Sequence, residues 1–312
     1  MKILITGGSG MVGKSLKNHI NYFFSSNQNK YYFLSSKLCN LLNYEESYKI
    51  FESIDPEIVI HLAADVGGLY KNLNNNIKMF QDNLQMNINV FKISNELNVK
   101  KLISIGSTCI FPDKTSYPLK ETMLHRGIPH KSNYGYSFAK RMLDVMTTLY
   151  NTHSNMKCIY LIPCNLYGKF DNFNLENSHV IPALIHKFYL AKINNKPMYI
   201  KGSGKAKRQF LFVDDFCEVI CRCIFNDIKY TTMIVCPNKE YTIKEVVNKI
   251  SMHLNFKNEI IYIKKYSDGQ LKKTSSNKIL KKQFQDIKFT KFDIGIKDTI
   301  DWFIKNYKNI RK

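Results

Sequence analysis

The sequence predicts an α/β fold: a doubly wound parallel sheet with a smaller, mostly C-terminal α/β domain beside it. Three observations predict it. A short β-branched run from Lys2 to Thr6 meets a glycine-rich turn and then a helical pattern. Strand-like apolar runs alternate with helical stretches as far as Pro163, the order that parallel sheets need for their crossovers. Beyond Gly168 the texture changes to polar loops and short elements. The expected division is 1–169 and 170–312, with some later segments crossing back to the first part.

Taken in order, the turn after the first strand is Gly7-Gly8-Ser9-Gly10-Met11-Val12-Gly13, and the helical pattern continues to about Phe24. Glycines at 7, 10 and 13 permit a tight turn and close backbone approach to a pyrophosphate, which rests on the amide-rich start of the helix. The alternative is a glycine-rich turn with no ligand, but strand-loop-helix context favours a Rossmann-like dinucleotide site. The second strand, Tyr31 to Ser35, leads to Ser36-Lys37. An NAD site usually places a carboxylate there for the ribose 2′-hydroxyl, whereas a lysine beside hydroxyls suits a 2′-phosphate, so NADP(H) is the expected cofactor. Lys37 also reads as a plain loop charge. Asp55-Pro56 ends a helix, Glu57 to Leu62 forms the third strand, and Ala63-Ala64 are small enough for a cofactor to cross. A helix from about Asn75 to Leu97 precedes the fourth strand, Lys101 to Ile105, and Lys157 to Pro163 is another strand.

The stretch from Ser107 to Lys140 carries the chemistry. Ser107 follows a strand at its carboxyl end, where ligands dock on open parallel sheets. Cys109, two residues on, faces the same way if the backbone is extended. Tyr136 and Lys140 are four apart, hence one turn apart on one helix face. A lysine ammonium there favours the phenolate and makes the tyrosine a workable proton carrier near neutrality. The same spacing also fits a solvated lysine on an exposed helix, and a dinucleotide site upstream is what gives it a catalytic meaning.

Composition narrows the class. The net charge is +21, yet lysines are spread along the chain without a dense basic run, so nucleic-acid binding is not expected. Apolar runs are too short for a membrane span. No signal peptide precedes the first strand, and the eight cysteines lack CxxC pairing, which points to a reducing, cytoplasmic setting with no metal. Cys217, Cys221 and Cys223 read as small buried hydrophobes of one helix.

These pieces resemble the extended short-chain dehydrogenase/reductase family, and within it the epimerase-reductases of GDP-sugars. The resemblance covers nearly the full length. It is carried by TGGSGMVG (Thr6 to Gly13), HLAADVGG (His61 to Gly68), GSTCIFPDKTSYP (Gly106 to Pro118) and NYGYSFAKRM (Asn133 to Met142). It continues through NLYG (Asn165 to Gly168), DNFN (Asp171 to Asn174), SHVIPALIHK (Ser178 to Lys187), RQF (Arg208 to Phe210) and SDGQLKKT (Ser267 to Thr274). Cys109 after Ser-Thr, together with His179, is the specific part.

The resemblance implies a two-stage reaction on one bound GDP-4-keto-6-deoxy sugar. Cys109 as base and His179 as acid would invert C3 and C5, with Ser107 and Tyr136 stabilising each enolate at the C4 oxygen. NADPH would then reduce C4 while Tyr136 supplies the proton, tuned by Lys140. The implied cofactor positions are Gly7, Gly10, Met11, Val12, Gly13, Ser36, Lys37, Ala63, Ala64, Tyr136, Lys140, Pro163, Asn165 and Leu166. The implied substrate positions are Asn165, His179, Val180, Lys187, Arg208, Asp268 and Lys273. Arg208 suits a diphosphate, though it reads equally as a surface arginine in a basic loop. A homodimer through the helices near 75–97 and 134–152 is expected by analogy.

Some positions depart from the family pattern. Lys169-Phe170 stands where relatives usually carry Pro-His, Asn40 and Asn43 replace aspartates, and Ser9 replaces an arginine of the bacterial form. The 2′-phosphate contact then falls on Lys37. A related 3,5-epimerase pairs its cysteine with a lysine, against which His179 argues. A 4,6-dehydratase would carry Asp-Glu at Thr108-Cys109, and a 4-epimerase needs no Cys-His pair. A silent NADP-binding scaffold would have no need of Ser107, Tyr136 and Lys140 together.

Overall fold

The computed structural model describes residues 1–23, 28–67, 74–266, 268 and 270–311. Phe24, Gly68, Ser267 and Gly269, which fall within the helix and motifs read above, lie outside the described residues.

The first half alternates as its pattern requires. β1 (Lys2–Thr6), α1 (Met11–Phe23), β2 (Lys30–Leu34), α2 (Tyr44–Ile54), β3 (Ile58–His61), α3 (Asn76–Glu96), β4 (Lys101–Ile105), α4 (Tyr134–His153) and β5 (Lys157–Pro163) follow one another. β3 is buried at every residue, and β4 and β5 at all but their first, because helices cover both faces of a parallel sheet. Helix boundaries have local causes. Asn43 caps α2 by accepting from the Glu46 amide at 3.1 Å. Asp55 ends α2 at φ 52°, and Pro56 follows it.

The second half supplies β6 (Asn165–Tyr167), α5 (Val180–Ile193), β7 (Met198–Lys201), β8 (Lys207–Arg208), β9 (Phe210–Phe212) and α6 (Val213–Phe225). It ends with β10 (Thr232–Val235), β11 (Tyr241–Thr242), α7 (Ile243–His253), β12 (Ile260–Ile263), α8 (Lys278–Gln283) and α9 (Phe292–Asn306). The main sheet has six strands in the order β10-β5-β4-β3-β1-β2, parallel throughout. Successive strands run outward from β1 in opposite directions, so a crevice opens beyond the ends of β1 and β3.

Residues 213–235 lie past the boundary at 169, yet α6 packs on α1 and β10 pairs with β5. Cys217, Cys221 and Cys223 are buried in α6 within the core of the main sheet. A second core gathers aromatic and aliphatic side chains of α5, α7 and α9 with β9, including Phe188, Phe212, Phe292 and Phe303. β6 pairs with β9 as a short parallel ribbon, which carries the chain from one core to the other. Phe170 and Lys169, the departures from Pro-His, belong to this seam. Phe170 sits at φ 63° with its ring against Trp302, and Lys169 pairs with Asp298 at 2.9 Å.

Candidate active site

The glycine turn folds tightly against the end of β3. Gly7 lies at φ 70°, and a Cβ there would come 2.7 Å from the Ala63 amide nitrogen. A Cβ on Gly13 would fall 2.6 Å from Gly7 O, so α1 can start against the turn only without a side chain at this point. The Gly8 amide donates to Leu34 O at 2.7 Å and anchors the turn to β2. What remains open is the amide-rich first turn of α1, facing a cleft of about 710 Å³. The steric fit, the small residues Ala63 and Ala64 opposite, and the free amides are the features that a dinucleotide's diphosphate needs.

One cleft gathers most of the residues expected from the sequence. Gly7, Gly10, Met11, Val12, Gly13, Ser36, Ala63, Ala64, Ser107, Tyr136, Lys140, Pro163, Asn165, Leu166 and His179 all line it. Lys37 does not; it is exposed in the turn after β2, whereas Ser9, Ser35 and Ser36 are part of the lining. Asn40 also lines the cleft, whereas the Asn43 side chain is occupied as a helix cap. Val180, Lys187, Arg208, Asp268 and Lys273 lie away from this lining. Both carboxylate oxygens of Asp268 accept from Ser203, at 2.7 and 2.5 Å, so its role here is to fasten the Gly202 turn.

Around Cys109 the expected extended backbone is absent. Thr108 to Ile110 form a 3₁₀ turn, capped by Ser107, whose Oγ accepts from the Cys109 amide at 3.4 Å. The tight turn breaks the two-residue alternation that extended chain would have given Ser107 and Cys109, and Cys109 is not part of the cleft lining that holds Ser107. Cys109 is half-buried, and Lys140, Arg141 and Lys273 all interact with it electrostatically. Lys273 in turn feels Arg208 and Asp113, and Arg208 feels Tyr117, so a second cationic group gathers on the Cys109 side of Ser107.

Tyr136 and Lys140 stand one turn apart on α4, but their coupling differs from the expectation. Burial pushes the Tyr136 phenol above its ordinary value, with Cys109 and Asp65 adding to the rise. Lys140 donates from Nζ to Ile105 O at 2.9 Å, and burial pulls it down to about 8. The phenol is therefore neutral at pH 7, poised as a proton donor, and the lysine lies beneath it as a largely charged floor. His179 precedes α5 and opens to the solvent of the cleft. The surrounding walls, helped by the Arg311 charge, lower its pKa.

Other residues of the cleft had no clear sequence signal. Asp171 is 4% exposed with Oδ2 unpartnered, and burial raises it to about 7. It belongs to DNFN, which alone does not separate a cleft carboxyl from a loop one. Arg311 reaches the same wall because its carbonyl accepts from the Phe173 amide at 2.9 Å, a contact spanning the second half of the chain.

Residues 3–235 match the NAD dependent epimerase/dehydratase family, and the chain belongs to it. Its relatives cover it almost end to end. The GDP-L-fucose synthase of Dictyostelium discoideum is 42% identical, over 99% of this chain and 97% of the relative. A probable GDP-L-fucose synthase of Drosophila melanogaster is 39% identical over 100% and 99%. Among solved structures, a GDP-L-fucose synthetase from Naegleria fowleri bound to NADP superposes with a TM-score of 0.93 at 38% identity, covering 100% of this chain and 95% of that one.

Proposed function

We infer that the chain converts GDP-4-keto-6-deoxy-D-mannose to GDP-L-fucose, by 3,5-epimerisation and then NADPH-dependent reduction at C4. The observation that carries this reading is the convergence of Ser107, Tyr136, Lys140 and His179 on the cleft that the glycine turn opens. Full-length similarity to GDP-L-fucose synthases supports the substrate, and the NADP-bound neighbour supports the cofactor.

The glycine turn and the start of α1 hold the cofactor's diphosphate, and Ala63, Ala64, Pro163, Asn165 and Leu166 line its path. When bound, NADPH supplies the hydride for C4. Ser107 and Tyr136 donate hydrogen bonds to the C4 carbonyl oxygen, which makes the neighbouring C3 and C5 protons removable. Cys109 takes a proton from one face, with Lys140, Arg141 and Lys273 as its electrostatic neighbours. His179 returns a proton on the opposite face, and its lowered pKa makes the protonated ring a readier donor. In the reduction, Tyr136 gives its proton to the developing alkoxide, while Lys140 offsets the negative charge left on the phenolate. Arg208, Lys187 and Lys273 take the nucleotide diphosphate, with Val180 beside the sugar.

The test is solvent-deuterium incorporation at C3 and C5. Cys109→Ser and His179→Gln slow exchange by about a hundredfold while NADPH affinity holds. Exchange at the wild-type rate in both variants removes them from acid-base roles.

The oligomer is a homodimer. α3 and α4 present an apolar groove of about 1030 Å³ lined by Ile77, Phe80, Leu84, Ile88, Tyr134, Phe138 and Val145, the kind of surface that a second copy covers. Among the described residues no helix is long and apolar enough to cross a membrane, and a cytoplasmic place fits eight free thiols.

A further inference from the structure

We propose that His61 is a positioning residue for the C4 reduction, the centre of a one-directional hydrogen-bond chain that fixes the rotation of the helix carrying Tyr136 and Lys140. The proposal rests on the catalytic reading of that pair given above.

The chain begins in the loop that the cofactor crosses. The Ala63 amide donates to Thr6 Oγ1 at 3.3 Å. Thr6 Oγ1 lies 2.9 Å from His61 Nδ1, and His61 Nε2 lies 3.0 Å from Asn87 Oδ1. Asn87 Nδ2 then donates to Ala139 O, on α4, at 3.2 Å. The ends settle the direction of every link. Asn87 uses its amino group on a carbonyl, so its oxygen must accept, and His61 must carry the proton on Nε2. Nδ1 is then free to accept from the Thr6 hydroxyl, whose lone pair takes the Ala63 amide. Thr6 and His61 are 0% exposed and Asn87 is 1%, so water cannot substitute for a lost link.

A second bond reaches α4 from the opposite side. Tyr160, on β5, donates to Lys140 O at 2.7 Å, and Gly106 leaves the room for it, since a Cβ there would fall 2.3 Å from the hydroxyl. Ala139 O and Lys140 O are adjacent carbonyls of one turn. Held laterally from α3 on one side and β5 on the other, that turn cannot roll about the helix axis. Roll is the motion that would swing Tyr136 and Lys140 together away from C4. Burial and the nearby Lys140 charge also hold the imidazole neutral, down to about 3, so the tautomer persists across the working pH range.

The experiment uses the full chain with NADPH and its 4-deuterated form. Thr6→Val keeps the shape and removes the hydroxyl, whereas Thr6→Ser keeps the hydroxyl. Tyr160→Phe cuts the lock from the other side. Expected are a fall of about tenfold in kcat for Thr6→Val and Tyr160→Phe, a larger primary isotope effect, an unchanged Kd for NADPH, and recovery in Thr6→Ser. Wild-type kcat and isotope effect in both folded variants overturn the proposal, as does a loss confined to Tm or cofactor affinity. Tyr136→Phe, run alongside, keeps the two readings apart. If it reduces C4 at the wild-type rate, the catalytic reading fails, whereas its loss with Thr6→Val and Tyr160→Phe unaffected refutes only the positioning role.

Discussion

Lys140 ends 2.9 Å from the carbonyl oxygen of Ile105 and is 2% exposed, so the hydrogen bond fixes its ammonium at the cleft floor while burial works against the charge. That burial brings its pKa down to about 8, below its ordinary 10.5. On the proposed mechanism, the ammonium that offsets the Tyr136 phenolate is lost as pH rises through about 8, and the reduction rate is expected to fall on the alkaline side with a midpoint near 8. Lys140→Met abolishes that limb of the profile and leaves a low, flat rate. Folding also releases this proton earlier than the unfolded chain does, so Lys140 adds stability as pH rises from about 8 toward 10.5. At this scale the sequence identified residue types and spacing, since a Tyr and a Lys four apart must share a helix face. It could not reveal that burial, rather than the lysine, dominates the phenol, because desolvation depends on the walls that close around it.

The elements that build the cleft were legible where local chemistry decides them. The glycine turn, α1 and the strand before them follow from a β-branched run, glycines at 7, 10 and 13, and an apolar helical period. Gly13→Ala tests this directly. Its Cβ would lie 2.6 Å from Gly7 O and from Gly8 Cα, so the turn must shift, and affinity for NADPH drops by at least about tenfold, read by fluorescence titration. The turn at Thr108 to Ile110 was not legible, because three residues carry no periodicity and extended backbone is equally compatible with Ser-Thr-Cys. Its consequence is local but chemical: Cys109 interacts electrostatically with Tyr136 and with the cations Lys140, Arg141 and Lys273, beside the cleft lining that Ser107 and Tyr136 share.

Over the whole molecule, alternating strands and helices predicted the parallel sheet, with some segments beyond the boundary at 169 expected to cross back to it; which segments return was not legible. α6 and β10 complete the main sheet from the far side of the boundary, since apolar runs in the second half look alike whichever core they join. Asp171 and Arg311 reach the His179 wall by the same kind of long-range closure. The exposed apolar face of α3 and α4 belongs to this scale as well. Ile77 is 75% exposed and Tyr134 46%, side by side with Phe80 and Phe138 along one groove. If the proposed homodimer forms through this face, Phe80→Glu yields a monomer in sedimentation velocity where the unsubstituted chain sediments as a dimer, while a single species of unchanged mass contradicts the proposed interface.

The measurement that bears most directly on the central claim is NADPH absorbance on mixing the protein with GDP-4-keto-6-deoxy-D-mannose, with NADH in a parallel cuvette. Rapid loss of absorbance is expected with NADPH, a slower loss with NADH because, among the described residues, no carboxylate stands on the Ser9, Ser35 and Ser36 side of the cleft to take a bare 2′-hydroxyl, and recovery of GDP-L-fucose inverted at C3 and C5. Cofactor-bound protein that leaves NADPH unoxidised, or that returns a reduced sugar with C3 and C5 unchanged, contradicts it.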